Sequence, residues 1–136
     1  MIIRRATLLD FDLLFRWRND EITRQMSNST GLITKEEHLV WLGKSLENTN
    51  REIYIAEWDG IAIGTVRADY RENECELSWT VAPEWRNKGF GRSMVKMLAD
   101  TIFLPKVAQI KPENIASMKI AKYAGVTIRA GEAVTF

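Results

Sequence analysis

One cysteine in 136 residues excludes an intrachain disulfide framework. No signal peptide and no long apolar span lead into the first structured segment, which predicts a cytoplasmic protein without a membrane partner. An excess of one charge is missing too: 19 Lys and Arg face 18 Asp and Glu, for a formal net charge of +1. With both signs interspersed, the chain lacks the whole-molecule field that nonspecific DNA or membrane binding requires, and no nucleic-acid partner is expected. No internal repeat, linker or low-complexity stretch divides the sequence. Its 46% apolar content suits one domain, residues 1–136, with a respectable core.

What is present is a series of well-bounded elements. Met1–Arg5 reads as a strand, and Leu8–Asn19 contains a helix whose Leu9, Leu13 and Leu14 are placed to face the core. Thr34-Lys-Glu-Glu37 has capping-box spacing and starts a helix carrying His38, Leu39, Trp41, Leu42 and Leu46, with its end near Asn48. Arg51–Trp58 and Ile61–Asp69 are antiparallel strands joined by Asp59-Gly60, a strong hairpin signal. Glu76–Val81 reads as a strand stopped by Pro83, after which Met94, Val95, Met97, Leu98 and Ile102 recur at helical spacing from near Gly91. A short strand, Val107–Ile110, leads to Asn114, a good N-cap, and a helix stopped by Gly125. Val126–Arg129 and Ala133–Phe136 read as two short closing strands.

The chemistry gathers at Val81-Ala-Pro-Glu-Trp-Arg86-Asn-Lys-Gly89-Phe-Gly91-Arg92, a strand, glycine loop and helix in succession. Without Cβ atoms, Gly89 and Gly91 let a ligand approach the backbone and allow a φ > 0 turn. The first-turn N–H groups and dipole of the following helix form an anion cradle. Arg86, Lys88 and Arg92 add positive charge that suits a pyrophosphate. Neither a Gly-x-x-x-x-Gly-Lys-Ser/Thr loop nor the third glycine of a dinucleotide fingerprint is present.

Arg86-Asn-Lys-Gly89-Phe-Gly91 after a strand ending in Val-x-Pro resembles the acetyl-CoA loop of the GNAT acetyltransferase superfamily. Asn114-Ile-Ala-Ser117, opening a helix that ends at Gly125-Val, is similar to that family's second cofactor segment, and Ser117 matches RimJ/RimL-type relatives. The resemblance implies an α/β (α+β) single-domain GNAT fold, with a mixed central sheet and helices on both faces. In that fold the fourth strand carries a bulge and splays from the fifth, leaving a slot for the pantetheine arm. It implies acetyl-CoA as co-substrate, held by Val81, Arg86, Asn87, Lys88, Gly89, Phe90, Gly91, Arg92, Asn114 and Ser117. It also implies direct attack of a primary amine on the thioester, with neither a cysteine nucleophile nor a metal.

A protonated amine has no lone pair, so a base must act first. Glu76, where family members often place a carboxylate, fills that role if partial burial raises its pKa; otherwise it is a solvated strand-end charge beside Glu74. Gln109 occupies the family's alternative base position and cannot take a proton. A backbone N–H at Val81 or a neighbour would hold the oxyanion. The family's tyrosine acid is replaced by Ala121. Tyr123 reads as core, leaving Ser117 or solvent to protonate the thiolate. Cys75 reads as a buried apolar residue.

Arg16-Trp17-Arg18-Asn19 followed by Glu37-His38-x-x-Trp41 resembles a GNAT subgroup that acetylates the 4-amino group of a nucleotide-linked deoxysugar in pseudaminic acid synthesis. Trp17, Arg18, Asn19 and His38 then become substrate-binding residues, arginines pairing with a diphosphate and an aromatic stacking on uracil. The same residues also fit an aromatic cluster rimmed by solvated arginines, with His38 on a helix surface. A polyamine or protein N terminus as acceptor, and a noncatalytic acyl-CoA-binding regulator, are the competing readings. The short tail after Gly125 leaves a thin wall beside the acceptor, which a homodimer partner would complete.

Overall fold

The computed structural model describes residues 1–27 and 30–130. The expected strand Ala133–Phe136, on which the thin-wall argument for a dimer rests, lies outside the described residues. Strands β1 (Ile2–Arg5), β2 (Arg51–Trp58), β3 (Ile61–Tyr70), β4 (Cys75–Val81), β5 (Lys106–Ile110) and β6 (Thr127–Ala130) form one sheet in that order. The first four run antiparallel, whereas the β4–β5 and β5–β6 pairs are parallel. Asp59 and Gly60 both take positive φ, 52° and 78°, as a tight β2–β3 hairpin requires.

The alternation of β2 divides the core between two layers. Ile53 and Ile55 pack with Leu14 and Trp17 of α1 (Phe11–Asn19) and Leu42 of α3 (Lys35–Glu47). Ala56 faces the opposite side, where Val66, Leu77, Met94, Val95, Leu98 and Ala121 join α4 (Phe90–Ala99) and α5 (Ile115–Ala124) to the sheet. Full burial of each Leu, Ile or Met contributes about 1.5–3 kcal/mol. No helix among the described residues is long and apolar enough to cross a membrane.

Four local expectations are corrected. The segment from Leu8 opens as a 3-10 turn, Leu8–Asp10, inside a Thr7/Asp10 capping box, and only then becomes α1. Leu9 is therefore turned outward and 96% exposed. A short helix the periodicity did not signal, α2 (Glu21–Met26), follows, with Asp20 accepting from Thr23 N–H at 3.1 Å. His38 is buried against Phe11, Phe15 and Trp41. Tyr123 is half exposed, with the Arg92 guanidinium 5.3 Å above its ring.

The bulge is also not where the family pattern puts it. β4 pairs with β3 in unbroken register from Cys75↔Tyr70 to Val81↔Gly64. The irregularity falls on β3: Ala56 pairs with Gly64 and Glu57 with Ala62, skipping Ile63. Gly64 consequently packs against α4, where an added Cβ would lie 2.7 Å from the Thr80 carbonyl oxygen and 2.8 Å from Met94 Sδ. Backbone cannot yield as a side-chain tip does, so Gly64→Ala should cost about 2–3 kcal/mol. Thermal unfolding checks this, and an unchanged midpoint would contradict the packing described.

Candidate active site

β4 and β5 are paired only at Cys75↔Lys106 and Glu76↔Val107, after which they separate. The Cys75 N–H donates toward β5, to Pro105 O at 2.9 Å, and the Ala82 N–H donates toward β3, to Ile63 O at 2.8 Å. Strand N–H groups alternate in direction, so those of Trp79 and Val81 face the gap beyond the last pair. They are unused sheet donors, suited to an extended ligand that enters as an additional strand.

The gap joins two cavities. The first, about 590 Å³, lies between the loop at 85–92, the start of α5 and α2. The second, about 670 Å³, lies on the α1/α3 side of the sheet and contains Glu76 and Gln109. Thr23, Met26, Ser27, Trp79, Thr80, Asn114 and Ser117 line both.

In the first cavity, Gly89 is the N-cap of α4 at φ 83°, with no side chain capping the helix and no acid in its first turn. Those uncapped N–H groups fit a phosphate. Asn87 shares the left-handed conformation at φ 62°, which asparagine tolerates. Gly91 lines this cavity and also serves packing, since a Cβ there would sit 2.6 Å from Ile120 Cδ1 and 3.2 Å from Val81 Cγ2. Phe90 packs against Trp58 and Trp85, while Arg92 lines the cavity and Lys88 does not.

Arg86 departs most from expectation. Its Nη2 donates to Asp20 at 2.9 Å and Thr23 Oγ1 at 3.0 Å, and its Nε to Val81 O at 3.2 Å. The side chain is thus a tie between the loop and α2 at the wall of this cavity. Asn114 caps α5 by accepting from Ser117 N–H at 3.1 Å. That places Ser117 at the junction of the cavities, its hydroxyl without a protein partner among the described residues.

In the second cavity the two neighbouring carboxylates have separate fates. Glu74 is held outside by Arg129 through two 2.8 Å contacts. Glu76 lies in the cavity with its side chain 14% exposed, paired with Arg71 at 3.1 Å. Cys75 alternates to the other face, fully buried, and burial pushes its thiol up to about 11, which removes it as a nucleophile.

Of the expected acceptor residues, Trp17, Arg18 and His38 line this cavity and Asn19 does not. Asn19 instead clamps the chain ahead of α3, exchanging two 2.9 Å hydrogen bonds with the Ile33 backbone. Four buried side-chain atoms among the described residues lack partners, Trp17 Nε1, Arg18 Nη1, His38 Nε2 and Gln109 Oε1, and all four belong to residues of this wall. Buried polar atoms are normally paired, so this clustering points to a bound polar molecule. Burial, and then the Arg24 charge, press Arg18 below its ordinary value. Burial and Arg18 lower His38 likewise, keeping its imidazole neutral. Arg51 and Arg67 lie over the Trp41 ring at 5.8 and 5.7 Å, and Asp69 accepts from both. The Arg51–Arg67 pair beside Trp41 is not legible in the sequence, because its contacts join three distant segments.

Because Gly89 is held at positive φ, Gly89→Ala should strain the helix start by about 1–2 kcal/mol. Turning the donors away to relieve that strain should raise the coenzyme A Kd about tenfold, measured by calorimetry. Unchanged affinity would show that these N–H groups do not hold the diphosphate.

The family model described as an acetyltransferase (GNAT) domain matches residues 1–127. No curated protein matches the sequence significantly. Among solved structures, the chain is similar to a spermidine N-acetyltransferase from Vibrio cholerae in complex with CoA and spermine. The two are 18% identical at a TM-score of 0.81, over 91% of this chain and 79% of that one. A ribosomal-protein-alanine N-acetyltransferase from Brucella melitensis is 24% identical at a TM-score of 0.77, over 92% and 83%. An aminoglycoside acetyltransferase in complex with coenzyme A is 17% identical at a TM-score of 0.76, over 90% and 82%. With the family model covering residues 1–127 of the fold and cavities described above, the chain belongs to the GNAT acetyltransferases, acetyl-CoA-dependent enzymes that acylate amines.

Proposed function

We propose that the chain acetylates the primary amine of a small, anion-bearing acceptor, and that a nucleotide-linked amino sugar is the acceptor class the second cavity fits best. The observation that carries this reading is the gap beyond Glu76↔Val107, which links an uncapped helix start on one face to a carboxylate on the other. Acetyl-CoA lays its diphosphate on the α4 N-terminus and its pantetheine arm in the gap, against the Trp79 and Val81 N–H groups.

The acceptor enters from the α1/α3 side as an ammonium ion. Glu76 takes one proton, directly or through a water, and the freed lone pair forms the N–C bond. The thioester oxygen becomes an anion held by the gap-facing N–H groups. Collapse breaks the C–S bond, the nitrogen gives up its second proton, and the departing thiolate takes one through the Ser117 hydroxyl or a water.

The cavity's charge supports the acceptor class. Arg18, Arg51 and Arg67 line it with Glu76, and Asp69, paired with Arg51 and Arg67, lies behind them, which leaves an excess of positive charge. The spermidine and aminoglycoside acetyltransferases act on polycations, which such a lining would repel. A diphosphate would pair with Arg18, and a planar base would stack near Trp41 among the arginines.

An amine panel read by thiol release tests this, comparing a UDP-linked 4-amino sugar with spermidine, an aminoglycoside and peptide N termini. The sugar nucleotide should be the preferred acceptor; activity confined to the other three would exclude it, and no release at all would leave a noncatalytic acyl-CoA binder. Glu76→Gln should lose most turnover with little change in acetyl-CoA affinity, and equal activity would remove Glu76 as the base. Arg18→Ala should raise the KM for the sugar nucleotide about tenfold or more, the scale of one lost charged hydrogen bond. An unchanged KM would place the anion elsewhere.

A further inference from the structure

Of the four unpartnered buried atoms, three are nitrogens on α1 and α3, and the fourth, Gln109 Oε1, is an acceptor on β5. Gln109 Nε2 donates to Glu76 Oε1 at 3.4 Å. The amide's orientation follows from chemistry: an ionised carboxylate only accepts, so the NH₂ must face it and the oxygen must face away. No described residue then meets that oxygen.

Its position along the gap is informative. Glu76 is level with Val107, so Gln109, two residues further along β5, is level with Ser78. That is the stretch between Glu76 and the gap-facing N–H groups of Trp79 and Val81. At about 3.3 Å per residue, Glu76 and Trp79 stand roughly 10 Å apart along β4, more than a glutamate side chain spans. An amine attacking a carbonyl held by those N–H groups therefore passes Gln109 and needs an acceptor there to hold it.

We propose that Gln109 is the residue that receives and orients the acceptor amine, its side-chain oxygen accepting an N–H of the incoming nitrogen while its NH₂ fixes the Glu76 carboxylate. This rests on the acetyl-transfer reading above and adds a second hydrogen bond to the reacting nitrogen. The transfer keeps its balance: of the three ammonium protons one goes to Glu76, one reaches the departing thiolate by way of Ser117 or water, and the N–H on Gln109 stays with the amide product, while the N–C bond forms and the C–S bond breaks. A side chain unable to act as a base thus serves by pointing the lone pair at the thioester.

Gln109→Met, close in volume but without an amide, separates this from a packing role. The comparison uses the UDP-linked 4-amino sugar, or whichever amine of the panel the wild type acetylates best. The variant should raise the amine KM about tenfold or more, with the melting temperature and acetyl-CoA Kd unchanged. An unchanged amine KM, or an equal loss of acetyl-CoA affinity, overturns the proposal. No turnover of any amine by the wild type overturns the acetyl-transfer reading and this proposal together, whereas turnover with an insensitive KM removes this proposal alone. A measurement independent of the variant is the Gln109 side-chain amide resonance of the wild type with CoA bound. It should move when the amine is added and stay when the deaminated analogue is added; an equal response to both contradicts the assignment.

Discussion

The site depends on the point at which two strands stop holding each other. Up to Glu76↔Val107, β4 and β5 are ordinary parallel neighbours. Beyond it β4 stays bonded to β3 as far as Val81, while β5 stays bonded to β6 as far as Ile110. Neighbouring strands are rotated by roughly 20° through sheet twist, so two blades tied only at their base diverge as they extend. The divergence leaves backbone donors facing empty space and opens a passage through the sheet. Both cavities, with Glu76, Ser117 and the start of α4, are arranged about that passage.

The remaining elements are best understood by which side of the passage they wall. The start of α4 approaches closely because Gly91 has no side chain to hold it off α5 and β4. Above both cavities lies α2, a helix with no buried residue, tied to the cofactor loop by the Arg86–Asp20 pair. A partly buried pair of this kind contributes modestly to stability, but here it sets the position of Thr23 and Met26, which both ligands would touch. On the α1/α3 side the wall is made of aromatic residues and arginines, with Glu76 as the carboxylate that lines the cavity.

Much of this was legible from local chemistry. The Thr34–Glu37 capping box, the Asp59-Gly60 turn and helical periodicity placed most elements, and the Gly89 and Asn114 segments marked residues that line one cavity. The failures share a cause. Arg86 reads as a phosphate ligand until its partner 66 residues away is known. His38 sits at a helix position that looks solvated until α1 covers it, and Tyr123 looks like core only if nothing charged can lie across its ring. Asn19 looked like a ligand contact and proved to be a loop clamp. Gln109 was dismissed by its chemistry as a base, because a single residue's pKa range says nothing about a neighbouring carboxylate it can hold. Pairings between distant segments carry no local signature.

The central claim is that the parted strands receive coenzyme A, and a crystal structure of the chain grown with acetyl-CoA tests it most directly. The account predicts the diphosphate on the N–H groups that open α4, with the pantetheine amides bonded to β4 in the gap and the thioester directed toward the Glu76 face. Density for the coenzyme outside the gap, or β4 and β5 zipped together beyond Val107 in its presence, would contradict it.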